Sequence, residues 1–380
     1  MTFLSPVTSQ PPNASSHDVR ELISMATTGL VPMFDAGKNV FCHRLLRTEH
    51  GLVQDQLSPR YTIMTLLGLR ELELAGIGSS FDTQGIYTGF ARDTNWIQGI
   101  GDLGLFLWLT AIFDPANVDS VLAKFECDQA LDRYADARAR RTMELAWFLA
   151  GLAHAAETSP RLVNSLTDLS VETYHRIEGN QGDYGFFGHM GIKNSLAGRL
   201  RGRIGSFADQ VYPIYALSRF AKAFQVEDPV NPALECASAI CGAQGDLGQW
   251  WWLYDSHAGR TSSRYPVYAV HQHGMAPMAL FAVEEATGQS FRQFIYKGLH
   301  WIYGANELGV DMRDTADSLV WRCIMPKKTQ SKYWEMATSL VRTANGDSDV
   351  GALKVLYEQR PYEYGWLIFA FAKHTSSPTA

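Results

Sequence analysis

The chain has 380 residues, 46% of them hydrophobic and 19% charged, with a formal net charge of −6. This is a globular composition, and a mildly acidic chain without a basic stripe excludes nucleic acid as the main partner. No uninterrupted apolar run reaches the ~18 residues that a membrane span needs, the richest stretch, Leu103 to Phe113, being too short.

Residues 1–16 are rich in Pro, Ser, Thr and Asn and are expected to be frayed. They lack a charged segment followed by a long apolar run, so no secretory signal is read there. The five cysteines, Cys42, Cys127, Cys236, Cys241 and Cys323, are odd in number and scattered. That fits reduced thiols in a cytoplasmic protein better than a disulfide framework.

A short helix is expected from His17 to about Leu30. The segment Leu30–Thr48 alternates apolar and polar residues around Ala36-Gly37 and reads as a small hairpin. From there long helical patterns, apolar nearly all round, alternate with shorter amphipathic ones. The long ones open at Ser58, Gly99, Arg141, Gly205, His271 and Arg360. Helices of that kind are buried on most sides. Between them lie amphipathic segments near Asp82–Phe90, Val118–Cys127, Arg161–Ile177, Asn231–Cys241 and Ser290–Tyr303, with the N-terminal helix as the sixth. Six buried helices sheathed by six half-exposed ones predict an all-α chain built as an (α/α)6 toroid, with a small N-terminal β-hairpin. No Gly/Ser or Pro linker divides the chain, so residues 17–380 read as one domain.

The connection from Gln244 to Pro277 is unlike an ordinary turn. It holds three consecutive tryptophans, three tyrosines, two aspartates and three histidines, whereas turn chemistry favours Gly, Pro, Asn and Ser. Binding residues gather on loops carried by a rigid scaffold. Trp250, Trp251, Trp252, Tyr254 and Tyr268 are therefore expected to form a stacking wall. Asn180-Gln-Gly-Asp-Tyr-Gly-Phe-Phe187 and Ala243-Gln-Gly-Asp-Leu-Gly-Gln-Trp250 form an internal repeat. Gly185 and Gly248 suit a tight turn, Gln181 and Gln244 suit bonds to free backbone groups, and the repeat reads as structural.

In a toroid of parallel inner helices, all inner N-termini open onto one end and converge on a single basin. Polar residues at those beginnings are thus candidates for a shared site. The catalytic candidates are Asp209, Asp102, Glu144, His271, His273 and Tyr212. Asp209 is the expected acid, with Asp102 or Glu144 as its partner. Arg60, Arg141, His189, Arg360 and Glu363 join the aromatic residues as binding candidates, the arginine forks suiting an anionic or polyhydroxyl ligand. No Asp, Glu or Cys stands at ligand spacing to His271 and His273, so neither metal nor cofactor is expected. A small-molecule or oligosaccharide substrate is expected, and nothing sets an oligomeric state.

The six-pair pattern resembles the six-hairpin glycosidase superfamily and, less closely, the toroids of terpenoid cyclases and protein prenyltransferases. The first resemblance implies acid/base chemistry on a glycosidic substrate, by hydrolysis or, with a His/Tyr pair, by a lyase or epimerase reaction. On the terpenoid side, Gln244-x3-Gly248-x-Trp250 is similar to the structural repeat of triterpene cyclases. Asp311-Met-Arg-Asp-Thr-Ala316 is similar to the acid motif of class II cyclases, with Arg313 where the proton-donating aspartate would stand. That second resemblance implies an isoprenoid cyclase or isomerase. A third possibility is a helical scaffold whose polar mouth only caps helix ends.

Overall fold

The computed structural model describes residues 16–133, 141–190, 202–327 and 352–375. The expectation of a frayed N-terminus therefore falls outside the described residues. In chain order the helices are α1 (Ser16–Gly29), α2 (Pro59–Leu74), α3 (Thr83–Arg92), α4 (Ile100–Phe113), α5 (Val118–Lys124), α6 (Ala130–Arg133), α7 (Thr142–Thr158) and α8 (Val163–Glu178). They continue with α9 (Ala208–Phe224), α10 (Val230–Gly242), α11 (Ala276–Thr287), α12 (Arg292–Ile302) and α13 (Pro361–Thr375), and a π-helical turn, His271–Met275, leads into α11.

The helices α2, α4, α7, α9, α11 and α13 form the inner ring, each packing on the next and α13 closing back on α2. Their composition dictates this position. In α4 every residue except Ile112 is buried, as an all-round apolar helix requires. Outer helix α12 instead buries one stripe, Ile295, Gly298, Leu299 and Ile302, at helical spacing. Closure of the ring depends on Gly68 and Gly365, since a Cβ on Gly68 would lie 2.1 Å from the Gly365 carbonyl oxygen. The hole of the ring is filled. Trp108 stacks on His154 at 4.7 Å, on Tyr215 at 5.1 Å and on Trp366 at 5.8 Å, with Phe369 edge-on at 5.6 Å. These rings come from four inner helices and make a floor, so the toroid is a cup and not a tube.

The internal repeat is a pair of staples. Gln181 donates from Nε2 to the carbonyls of Gly185 and Pro232, both at 2.9 Å. Gln244 does the same to Gly248 and Phe294, both at 3.0 Å. Gly185 and Gly248 have φ of +83° and +92°, and a Cβ on either would strike the carbonyl of Glu235 or Lys297. Each repeat thus ties the end of one outer helix to the next.

Connections from inner to outer helices are at most eight residues long, whereas those returning from outer to inner carry all the strands. Strands β1 (Phe34–Asp35), β2 (Val40–Thr48) and β3 (Gly51–Leu57) precede α2, and β4 (Ile204–Ser206) precedes α9. Before the π-turn come β5 (Leu253–Asp255), β6 (Arg260–Ser263) and β7 (Val267–Tyr268). Before α13 come β8 (Arg313–Asp314), β9 (Leu319–Val320), β10 (Cys323–Pro326), β11 (Leu353–Leu356) and β12 (Glu358–Gln359). The expected hairpin is present, with Asp35 paired to Val40, but β2 forms a longer one with β3 and also pairs with β12. Further small sheets join β11–β10–β7, β4–β5–β6 and β8–β9. The fourth inner helix starts at Ala208, not Gly205, because Ile204–Ser206 pairs with β5. Long decorated loops therefore stand at the end where the inner helices begin, and the opposite end is trimmed close.

All five cysteines are buried free thiols. Burial pushes Cys42, Cys127 and Cys323 up to about 12, so they behave as small hydrophobes. Among the described residues no helix is long and apolar enough to cross a membrane.

Candidate active site

The six inner-helix beginnings touch one another in a closed circuit. Ser58 caps α2 by accepting the Tyr61 N–H at 3.2 Å, which sets Arg60 and Tyr61 on the first turn. Arg60 reaches Asp102 in the first turn of α4 at 2.7 Å and lies over the Trp147 ring of α7. Trp147 meets Tyr212 of α9 edge-on, and the Tyr212 hydroxyl accepts from Trp366 Nε1 of α13 at 2.9 Å. Phe207, just before α9, stacks on His271 of the π-turn at 4.3 Å. His271 packs against Tyr268, which lies under the Arg322 guanidinium, and Arg322 pairs with Glu363 of α13. Arg360 donates to the Tyr61 hydroxyl at 2.9 Å, completing the circuit.

Asp209, buried on the first turn of α9, is saturated. It accepts from the backbone N–H groups of Ser206 (2.8 Å) and Met143 (3.3 Å), from the Ser206 hydroxyl (2.8 Å) and from His189 Nδ1 (3.1 Å). A carboxyl group that takes four donors serves here as an acceptor. The His189 ring must then carry its proton on Nδ1, which leaves Nε2 as the basic nitrogen. His189 is placed by the chain around it. Its carbonyl accepts the Thr142 N–H at 2.9 Å, anchoring it to the start of α7. The other two carboxylates differ. Asp102 is held by Arg60 and by the Gln98 N–H at 3.1 Å. Glu144 has Arg141 at 3.3 Å, a long contact.

A second set lines the α13 side. Glu358 takes Arg360 at 2.7 Å, Arg322 at 3.2 Å and Arg44 at 3.2 Å. Burial pushes the Glu363 carboxyl up to about 7, although Arg322 and Arg360 pull the other way. His43 on β2 stacks on Tyr61 at 5.1 Å, and Tyr61 on Tyr362 at 4.4 Å. Burial, then Arg360 and Arg44, lower the His43 pKa and keep the ring neutral. Arg322 and His43 escape the sequence reading because each arrives by strand pairing across a long separation. Cys323, next to Arg322, faces Tyr268, and β2 carries His43 alongside β12. No local signal marks either residue.

The aromatic connection does not form the expected stacking wall. Trp250 and Tyr254 are fully buried and Trp251 and Trp252 are at most 9% exposed. Tyr254 receives the Trp251 N–H at 3.2 Å and stacks on Phe186, while the Trp251 indole donates to the Ala243 carbonyl at 2.7 Å. These rings wedge α10 and the 250s strands into the core, with the Trp251 and Tyr254 polar atoms partnered there and the Trp250 Nε1 left without a partner. Only Tyr268 of that group remains half-buried. His271 and His273 are buried too, and burial lowers both to about 3, so both are neutral. Among the described residues no cluster of three or more His, Cys, Asp or Glu is placed to hold a metal. In the Asp311–Ala316 motif Arg313 binds Asp311 and Glu21 of outer helix α1 and covers the Tyr303 ring.

The architecture is that of an (α/α)6 toroid enzyme fold. No family model and no curated protein sequence matches the chain. Solved structures do. A sugar epimerase from a ruminal bacterium matches with a TM-score of 0.64 at 11% identity, over 94% of this chain and 98% of that one. An unsaturated glucuronyl hydrolase from Streptococcus agalactiae matches with a TM-score of 0.61 at 11% identity, over 98% of each chain. A possible member of the GH105 family from Salmonella enterica serovar Paratyphi A matches at 0.59 and 10% identity, over 99% of each chain. At such identities the likeness is one of fold.

Proposed function

We propose that the chain is a carbohydrate-active enzyme that cleaves or rearranges its substrate by proton transfer at the mouth of the toroid. His189 is the transferring group and Asp209 its orienter. The observation that carries this reading is the Asp209–His189 contact at 3.1 Å, with Asp209 saturated by three further donors. An acceptor so fully engaged is unsuited to give up a proton, and instead fixes the tautomer of its neighbour. The polar mouth, ringed by Arg60, Arg141, Arg360 and half-buried phenols, suits a hydroxylated ligand better than a hydrocarbon. Arg141, 40% exposed in its side chain, is the residue we assign to a substrate carboxylate, which its planar fork suits. Fold neighbours that are sugar enzymes support the substrate class.

Hydrolysis is the second reading, favoured by Glu144, whose single long contact leaves it the freest carboxyl group at the mouth. Isotopes separate the two. With uronic-acid oligosaccharides in D2O the His189 route gives ring-carbon deuterium where the carbon is reprotonated and an unsaturated, ultraviolet-absorbing ring where the leaving group is eliminated, whereas hydrolysis in H2(18)O places solvent oxygen on the released reducing sugar. His189→Gln removes turnover in the first case and Glu144→Gln in the second. Full turnover by both His189→Gln and Asp209→Asn, with melting unchanged, refutes the proton-transfer assignment.

A further inference from the structure

With the tryptophans buried, the mouth still has an aromatic face, on the side where the ring of helices closes. Tyr61 and Tyr362 stand on the first turns of α2 and α13, and His43 stands on β2. The three rings are contiguous, His43 stacked on Tyr61 at 5.1 Å and 15°, and Tyr61 tilted against Tyr362 at 4.4 Å and 35°. All three are half-buried. The stack is locked from its edge. Arg360 Nη1 holds the Tyr61 hydroxyl at 2.9 Å, and Arg360 Nε is itself held by Glu358 at 2.7 Å. Glu358 and Gln359 pair with Leu46 and Leu45 of β2, and continuing that register brings His43 beside the start of α13. Every ring therefore rides on a rigid element, as a preformed binding face requires.

We infer that His43, Tyr61 and Tyr362 form a stacking subsite for a pyranose ring, with Arg360 and the His43 nitrogens meeting its hydroxyl edge. The reasoning rests on the sugar reading above and does not depend on which residue moves the proton. The outer rings of the group, His43 and Tyr362, offer the C–H face of a sugar its partner, while the Arg360 guanidinium and the His43 imidazole match hydroxyl groups. A hydrocarbon would leave both unmatched. The N-terminal β-sheet thereby gains a purpose, since it delivers His43 and braces Arg360.

The test is saturation-transfer NMR of the full chain with methyl β-D-glucuronide and methyl β-D-glucoside. Transfer to the ring C–H protons of either probe is expected. Tyr362→Leu and His43→Leu, which keep apolar bulk but remove the ring face, are expected to weaken binding about tenfold, the worth of one aromatic contact. Tyr61→Phe keeps the face and is expected to retain transfer, which guards against misreading a folding defect. No transfer to either probe in the native chain, or equal transfer in Tyr362→Leu and His43→Leu, overturns the subsite. Transfer that persists in His189→Gln while turnover is lost separates binding from chemistry. If turnover instead survives His189→Gln, the catalytic assignment falls and the subsite stands.

Discussion

The clearest energetic consequence of this architecture is acid sensitivity, and His273 isolates it. The ring is fully buried, neither nitrogen has a partner, and burial lowers its pKa to about 3 from an ordinary 6.5. Unfolded, the same imidazole gains a proton near pH 6.5, so acid favours the unfolded state and stability is lost as the pH falls below that value. Between pH 6.5 and 4.5 this amounts to about 2 kcal/mol, and His271, also lowered to about 3, adds a similar loss. Glu363 works in the opposite sense. Raised to about 7 from 4.5, it keeps its proton in the folded state where the unfolded chain has released it, and it returns about 2 kcal/mol over the same interval. The net slope of the three groups is a loss of about 2–3 kcal/mol, a sizeable part of a typical folding free energy. The perturbation is His273→Phe, which keeps ring volume and removes both unpartnered nitrogens. Urea unfolding at pH 6.5 and 4.5 is expected to show the variant losing about 2 kcal/mol less than the native chain between the two, and somewhat more stable at neutral pH. An unchanged pH slope in the variant would refute the reasoning, because it would mean that His273 takes up its proton equally well folded and unfolded.

Asp209→Asn is expected to lower turnover on the natural sugar by about 10²–10⁴, since His189 loses the partner that fixes its tautomer. The pH–rate profile should lose its imidazole limb, and a purely structural aspartate would leave that limb in place. Gln181→Ala and Gln244→Ala each remove two hydrogen bonds to backbone carbonyls. Each is expected to cost about 2–3 kcal/mol in urea unfolding, with the double variant close to additive. Gly68→Ala forces a methyl group to within 2.1 Å of the Gly365 carbonyl oxygen. It is expected to cost at least about 1–3 kcal/mol by overpacking the seam between α2 and α13.

The helical ring is legible in the sequence because burial on all sides leaves an unmistakable mark. A stretch such as Ile100–Phe113 has few polar residues to offer water on any face, and the outer stripes keep a clean helical spacing. The strands are nearly invisible by comparison. Most have two to four residues, and their partners are remote, β10 with β7 and β12 with β2. Pairing of that kind depends on register and not on local pattern. The same blindness explains the aromatic error. Composition states that Trp250, Trp251 and Trp252 are large and amphipathic, but the face each presents is set by β5 pairing with β4 and β6. Tyr61 and Tyr362, polar residues at inner-helix beginnings that the sequence does mark as candidates for the shared basin, keep the half-buried position the tryptophans lack.

The electrostatics of the mouth follow from how its acids are arranged. Asp102 answers to Arg60, Glu358 to three arginines, and Asp209 to backbone and imidazole donors. At Glu358 the Arg360 and Arg322 guanidinium groups outweigh burial and hold the carboxyl below its ordinary value. Under the proposed function proton transfer falls to Glu144 or to His189, which flank Thr142: Glu144 stands two residues further along α7, and the His189 carbonyl accepts the Thr142 N–H. His189 holds the stronger position because Asp209 both aligns its ring and stabilises the cation formed when Nε2 takes a proton. A carboxyl group at Glu144 has only a long contact to Arg141 to do the same. On this ground the proposed function gives proton transfer to the His189 imidazole and not to a carboxyl pair.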